Sequence, residues 1–127
     1  IQGTRDLTLN IPVANPNNFG DPQVALNALD GFSTVAPWTT SFSAAVNAST
    51  LVPGQTVRVF EVAISTTTGA VQRVVRELAS PAEYVVALAT TDTTNRTVAI
   101  IPTRPLEQLK SYMAVITNGV RDAAGND

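Results

Sequence analysis

Short apolar runs recur along this chain about every ten residues, roughly seven in all, and turn residues separate them. That cadence leaves little room for long helices and favours an antiparallel sandwich. Asp6 to Val13 alternates, with Leu7, Leu9 and Ile11 on one face of an expected strand. Trp38, Thr40 and Phe42 share a face of a second. Pro53-Gly54 marks a turn into Thr56–Ile64, where the apolar phase slips between Val59 and Phe60, so either both faces are covered or a bulge lies there. Val71, Val74, Val75 and Leu78 also fit helical spacing, but their valine content and flanking turns favour a strand. Tyr84, Val86 and Leu88 alternate with smaller residues. Thr97 to Asn126 then reads strand, turn, strand, turn: Pro102 ends the first strand, Leu106 and Leu109 tuck inward, Tyr112–Thr117 forms the second, and Asn118-Gly119 favours positive φ in a tight turn.

One helix is expected. Asp21 can cap it, Pro22 is pre-set for its first turn, and Val24, Ala25, Leu26, Ala28 and Leu29 follow before Gly31 stops it. The expected fold is therefore all-β, an Ig-like antiparallel sandwich of about seven strands with one short N-terminal helix, in a single domain over 1–127. Ile1–Gly31 would lead into it. Its expected core comprises Leu9, Ile11, Leu26, Trp38, Phe42, Val59, Val62, Val86, Leu88, Ile100, Leu106, Tyr112 and Ile116.

Composition narrows the chemistry. A length of 127 residues, 44% of them hydrophobic and 14% charged, supports a folded core without disulfide staples. The net charge of −2 carries no basic footprint, so nucleic acid is not an expected partner. With no histidine and no cysteine, the chain lacks imidazole bases, thiolate nucleophiles and the usual zinc ligands. No apolar run approaches the roughly 18 residues of a membrane span. Starting at Ile1, the chain is expected to be a processed piece whose signal peptide, if any, is gone.

Candidate chemistry gives way to plainer readings at each position. Lys110 abuts Ser111 without Ser-x-x-Lys spacing, and no Gly-x-Ser-x-Gly occurs. No catalytic residue and no cofactor is assigned. Glu61, Glu77 and Glu83 could pair for glycoside chemistry, yet each reads better as an outward, solvated carboxylate. Arg73, Arg76 and Glu77 read as a solvated charged face. Asp122, Asn126 and Asp127 gather oxygens in one turn and are the candidate calcium ligands, without the spacing of an EF-hand loop. Trp38, Tyr84, Tyr112 and the four phenylalanines could stack on sugars, though periodicity turns most of them inward. Asn47-Ala48-Ser49 and Asn95-Arg96-Thr97 match the glycosylation sequon.

Two resemblances add to this. Pro105, Leu106, Leu109, Tyr112, Gly119, Val120, Asp122, Gly125 and Asn126 follow a pattern similar to the end of a bacterial Ig-like domain of surface-layer type. The runs Thr8–Val13, Asp21–Asn27, Leu29–Thr34 and Val57–Val62 resemble the N-terminal region of bacterial virulence-factor lipases and lysophospholipases. That resemblance implies a non-catalytic accessory domain, extracellular or on the outer surface of a Gram-negative bacterium. Its implied partners are a downstream α/β-hydrolase domain of the same chain, and lipid or the cell surface. The alternatives are an Ig-like adhesion or spacer module of a non-enzymatic surface protein, and a carbohydrate-binding module. Because a further strand is expected beyond Asp127, its neighbour is expected to be an unpaired edge open to dimerisation.

Overall fold

The structure, a computed structural model, describes residues 11–27 and 32–127. The chain divides into two compact units, Ile1–Ser33 and Thr34–Asp127.

In the first unit, helix α1 spans Pro22–Asn27, with Val24 buried. Asp21 caps it as its residue type demands: the carboxylate accepts from the Gln23 amide at 2.9 Å. Asn27 then folds its side chain back on the preceding chain. Its Oδ1 accepts from the Ile11 amide at 2.6 Å and its Nδ2 donates to the Ile11 carbonyl at 2.8 Å. This corrects the strand expected over Asp6–Val13 in its described part. Ile11 gives both backbone groups to a side chain and Pro12 has no amide to give, so Ile11–Val13 is not a strand. Leu7 and Leu9 lie outside the described residues, as do Ala28 to Gly31. Leu26, expected in the core, is 45% exposed, and Ile11 is half-buried.

The second unit is mostly β, built from six strands in two antiparallel sheets. These are β1 (Trp38–Ser41), β2 (Val57–Ile64), β3 (Val71–Glu77), β4 (Tyr84–Leu88), β5 (Thr97–Pro102) and β6 (Ser111–Ile116), with a 3₁₀ turn at Ala48–Thr50. One sheet has the order β1-β5-β4 and the other β3-β2-β6. Hairpins join β2 to β3 and β4 to β5, while β1 and β6 reach their partners by longer connections.

The two sheets share one core. Val57 and Val59 from β2 meet Tyr84, Val98 and Ile100 from the other sheet, with Val46, Leu51, Leu78 and Val120 closing the ends. Each fully buried valine stabilises the fold by about 1.5–3 kcal/mol relative to exposure. Trp38, Phe42, Val86, Leu88, Leu106, Tyr112 and Ile116 pack against this cluster, as their periodicity indicated. Tyr84 crosses the core to hold a loop: its hydroxyl donates to the Val57 carbonyl and accepts from the Gly54 amide, both at 3.0 Å. Burial accordingly pushes its pKa up.

Several local expectations move. The slip in β2 falls between Glu61 and Val62, and again between Ala63 and Ile64, rather than after Val59. Val57, Val59 and Glu61 therefore keep one inward phase, and the irregularity lets Val62 join them in burial. Asn118 and Gly119 do not take positive φ; among the described residues Gly54, Gly69, Gly125, Asn95 and Leu109 do. Gly119 is required by space instead, since a Cβ there would meet Thr56 Cγ2 at 2.7 Å. Thr56 cannot swing away freely, because its hydroxyl bonds the Thr50 carbonyl at 2.6 Å and accepts the Val52 amide at 2.8 Å. Leu109 does not tuck in. Its φ of 59° turns it wholly into solvent, leaving Leu106 alone as the inward leucine of that turn.

Candidate functional site

The densest polar arrangement among the described residues lies at one end of the sandwich, where five segments converge. Inward phase explains its centre. Glu61 follows Val57 and Val59 on the buried face of β2, and antiparallel register sets Arg76 of β3 opposite it. Glu83 precedes β4, Arg104 follows β5 and Lys110 precedes β6. Charges alternate along the chain that results. Lys110 Nζ reaches Glu61 Oε1 at 3.1 Å, and Arg76 Nε donates to Glu61 Oε2 at 3.1 Å. Arg76 Nη1 then donates to both Glu83 oxygens at 2.9 and 3.0 Å, and Arg104 Nη2 donates to Glu83 Oε1 at 2.8 Å. The Ala79 amide adds a fourth bond to Glu83, at 2.8 Å.

This overturns the outward reading of two of the three glutamates. Glu61 and Glu83 are 5% and 7% exposed, and Arg76, which stays 40% exposed on the charged face of β3, bridges them. Glu77 keeps its surface position, paired bidentately with Arg58 at 2.8 and 2.6 Å, while the Arg58 guanidinium lies 4.9 Å from the Phe60 ring centroid. The alternation of β2 contained a signal for Glu61, two residues beyond Val59 in the same phase. Nothing local could have joined Glu83 to Arg104, which are 21 residues apart and sit on different loops.

Arg76, Glu83, Arg104, Pro105, Leu106, Glu107 and Tyr112 line a cleft of about 280 Å³ beside the network. Tyr112 closes its far side, its hydroxyl accepting from the Glu107 amide five residues upstream at 3.1 Å. The electrostatics do not favour proton transfer. The Ala79 amide, then Arg104 and Arg76, hold Glu83 down to about 2 against the opposing cost of desolvation. Lys110 chiefly holds Glu61 down as well. A general acid near neutral pH needs a carboxyl shifted the other way. The cluster can brace five segments, and its cleft can admit a small ligand.

Of the candidate calcium ligands, Asp122 and Asn126 are brought together and Asp127 is not. Asp122 Oδ1 accepts from the Ala124 and Asn126 amides, both at 2.8 Å, and Oδ2 accepts from Asn126 Nδ2 at 2.9 Å. Asn126 first, through side chain and amide, lowers the Asp122 pKa. Asp127 is exposed and forms no hydrogen bond with either residue. Among the described residues, no group of three or more His, Cys, Asp or Glu is placed to hold a metal ion, and no helix is long and apolar enough to cross a membrane.

The aromatic residues divide as well. Trp38 and Tyr112 meet with ring centroids 6.4 Å apart, whereas Phe19 and Phe32 are each 81% exposed. In the sequons, the Asn47 carboxamide caps the 3₁₀ turn by accepting from the Ser49 amide and hydroxyl. Asn95 takes left-handed backbone at φ 57°.

Fold and cluster together define a mostly β domain of two antiparallel sheets, braced at one end by three exposed cations on two buried glutamates. A family model described as bacterial virulence factor lipase N-terminal matches residues 3–127, and the chain belongs to that family. Comparison with curated proteins and with solved structures returned no match.

Proposed function

We propose that this chain is a non-catalytic accessory domain of a secreted or surface-exposed bacterial lipase, whose ester hydrolysis is carried out by a downstream α/β-hydrolase domain. The family match over residues 3–127 carries this reading. The site supports it: the buried carboxylates are occupied by arginine, lysine and amide partners, which suits a scaffold rather than a reacting centre.

The same frame supports an Ig-like role. The order β1-β5-β4 facing β3-β2-β6 is that of strands B-E-D and C′-C-F of an Ig sandwich. The Tyr112 hydroxyl bonded to the Glu107 amide occupies the place of the tyrosine corner at the start of strand F. Such a domain can space or support a hydrolase. The exposed Phe19 and Phe32 add a means of touching lipid.

Two experiments test this. The purified chain is expected to leave a short-chain ester unhydrolysed, and activity that survives repurification would overturn the non-catalytic half. Reading the gene past Asp127 is expected to show a Gly-x-Ser-x-Gly elbow followed by Asp and His. Further Ig-like repeats without that elbow would instead favour a surface-protein array. For a carbohydrate-binding module, Trp38 emission should respond to oligosaccharides; packed against the core, it is expected to ignore them.

A further inference from the structure

Two arginines line the cleft beside the ion network with donors to spare. Arg104, its side chain 64% exposed, gives one bond, from Nη2 to Glu83. Its Nε and Nη1 meet no acceptor among the described residues. Arg76 gives Nε to Glu61 and Nη1 to Glu83, and its Nη2 is likewise unengaged among them. A third donor comes from β6. The Tyr112 hydroxyl accepts from the Glu107 amide at 3.1 Å, and its own proton meets no acceptor among the described residues. All three side chains border the same space of about 280 Å³.

Donors without matching acceptors suit an anion, and guanidinium groups suit one whose oxygens share a plane. The lining limits how much charge that anion can bring. Arg76 and Arg104 are offset there by Glu83 and Glu107, so a dianion finds no surplus of positive charge. Recognition has to rest on aimed hydrogen bonds. A carboxylate brings a single charge and about four lone-pair sites, the number that Arg76 Nη2, Arg104 Nε and Nη1, and the Tyr112 hydroxyl can fill. Pro105 and Leu106 supply an apolar wall beside these donors. Pockets that fix a polar head and cover an apolar body are built in this way.

We propose that this cleft binds a short aliphatic carboxylate, its oxygens held by Arg76, Arg104 and Tyr112 and its tail against Pro105 and Leu106. The assignment is independent of the lipase reading. Glu83 acts as a positioning residue: bonded to both guanidinium groups, it fixes them at the cleft. Glu107 is a like charge in the same lining and weakens the binding.

Butyrate titrated into the ¹⁵N-labelled 127-residue chain, at constant ionic strength and near-neutral pH, tests this. The Ala79, Glu107 and Tyr112 amides should shift saturably with a Kd of about 1–10 mM, the range open to so small a ligand. Butanol, which keeps the tail without the charge, and inorganic phosphate should each bind at least about tenfold more weakly. Arg104→Ala should weaken butyrate binding at least about tenfold, and Tyr112→Phe about threefold. Arg73→Ala, outside the lining, should change nothing. Glu107→Gln keeps the amide bonded to Tyr112 and removes the like charge, so it should tighten binding about twofold. No saturable shift up to about 50 mM butyrate would overturn the proposal. So would affinity that a folded Arg104→Ala variant retains, or phosphate bound as tightly as butyrate. If Arg104→Ala does not fold, Glu107→Gln decides, and a butyrate affinity unchanged or weakened in that variant overturns the assignment.

Discussion

The two flanks of the sandwich solve the same problem in opposite ways. On the β3 and β4 side, Arg76 pairs from the surface with the buried Glu61 and Glu83, and irregular register with surface charge marks the β3 edge. On the β1 and β6 side, the strands are short, uncharged and regular, and a slot remains between them. One sandwich is thus braced by charge on one flank and leaves an uncharged slot between its sheets on the other. Removing a cation from this network leaves a buried carboxylate short of partners, whereas a change in the wall of the slot touches no charge.

The largest expected effect comes from breaking the charged side. Glu83→Ala should destabilise the chain by about 1.5–3 kcal/mol, because Arg76 loses both of its bonds to that carboxylate and the Ala79 amide loses its acceptor, while the exposed guanidinium groups of Arg76 and Arg104 remain solvated. The urea midpoint measures this. Glu77→Ala, which breaks only the exposed pair with Arg58, should move the midpoint far less, and equal losses would erase the contrast between buried and surface glutamates.

The same carboxylate sets the acid limb. Glu83 is held at about 2, below its ordinary 4.5, so its stabilising contribution is complete above pH 4.5 and is lost as pH falls towards 2. Urea midpoints measured from pH 6 to 2 should fall in that window, and Glu83→Gln should flatten the fall. An unchanged acid limb in the variant would assign it to other carboxylates.

A smaller effect separates the two tyrosines that anchor loops. Tyr84→Phe removes two hydrogen bonds but leaves the Gly54 amide bonded to the Val57 carbonyl at 2.9 Å, and should cost about 1–2 kcal/mol. Tyr112→Phe, at a half-buried site with one bond to the Glu107 amide, should cost about 0.5–1.5 kcal/mol. A reversed order in thermal melts would show that the corner at Tyr112 is the stronger anchor.

The smallest is expected on the open flank. Thr40→Val, in the wall of the slot, should change stability by no more than about 0.5 kcal/mol in the dilute monomer. A larger loss in melts of the dilute chain would mean that this wall contributes to folding much as the charged one does.

Short apolar runs and the turns between them locate β1 to β6, and the expected core residues Val59, Val62 and Ile100 lie inside, Val62 through the register shift after Glu61 rather than through alternation. The alternation of β2 also contained Glu61, in phase with Val57 and Val59, but composition alone argued for an outward carboxylate. The expected first strand failed where Asn27 took the backbone of Ile11, an interaction across 16 residues that no local pattern announces. Glu83 reads as an ordinary turn residue until Arg76, Arg104 and the Ala79 amide surround it.

The sequence by itself determined the β class, the strand cadence, the capped helix start at Asp21 and the membership suggested by its motifs, because these depend on side-chain period and turn chemistry within a few residues. Only the tertiary structure decided which glutamates are buried, why Gly119 must be glycine, that Leu109 faces water and that a slot lies between β1 and β6. Each of those depends on what lies opposite a residue, and that neighbour comes from a distant part of the chain.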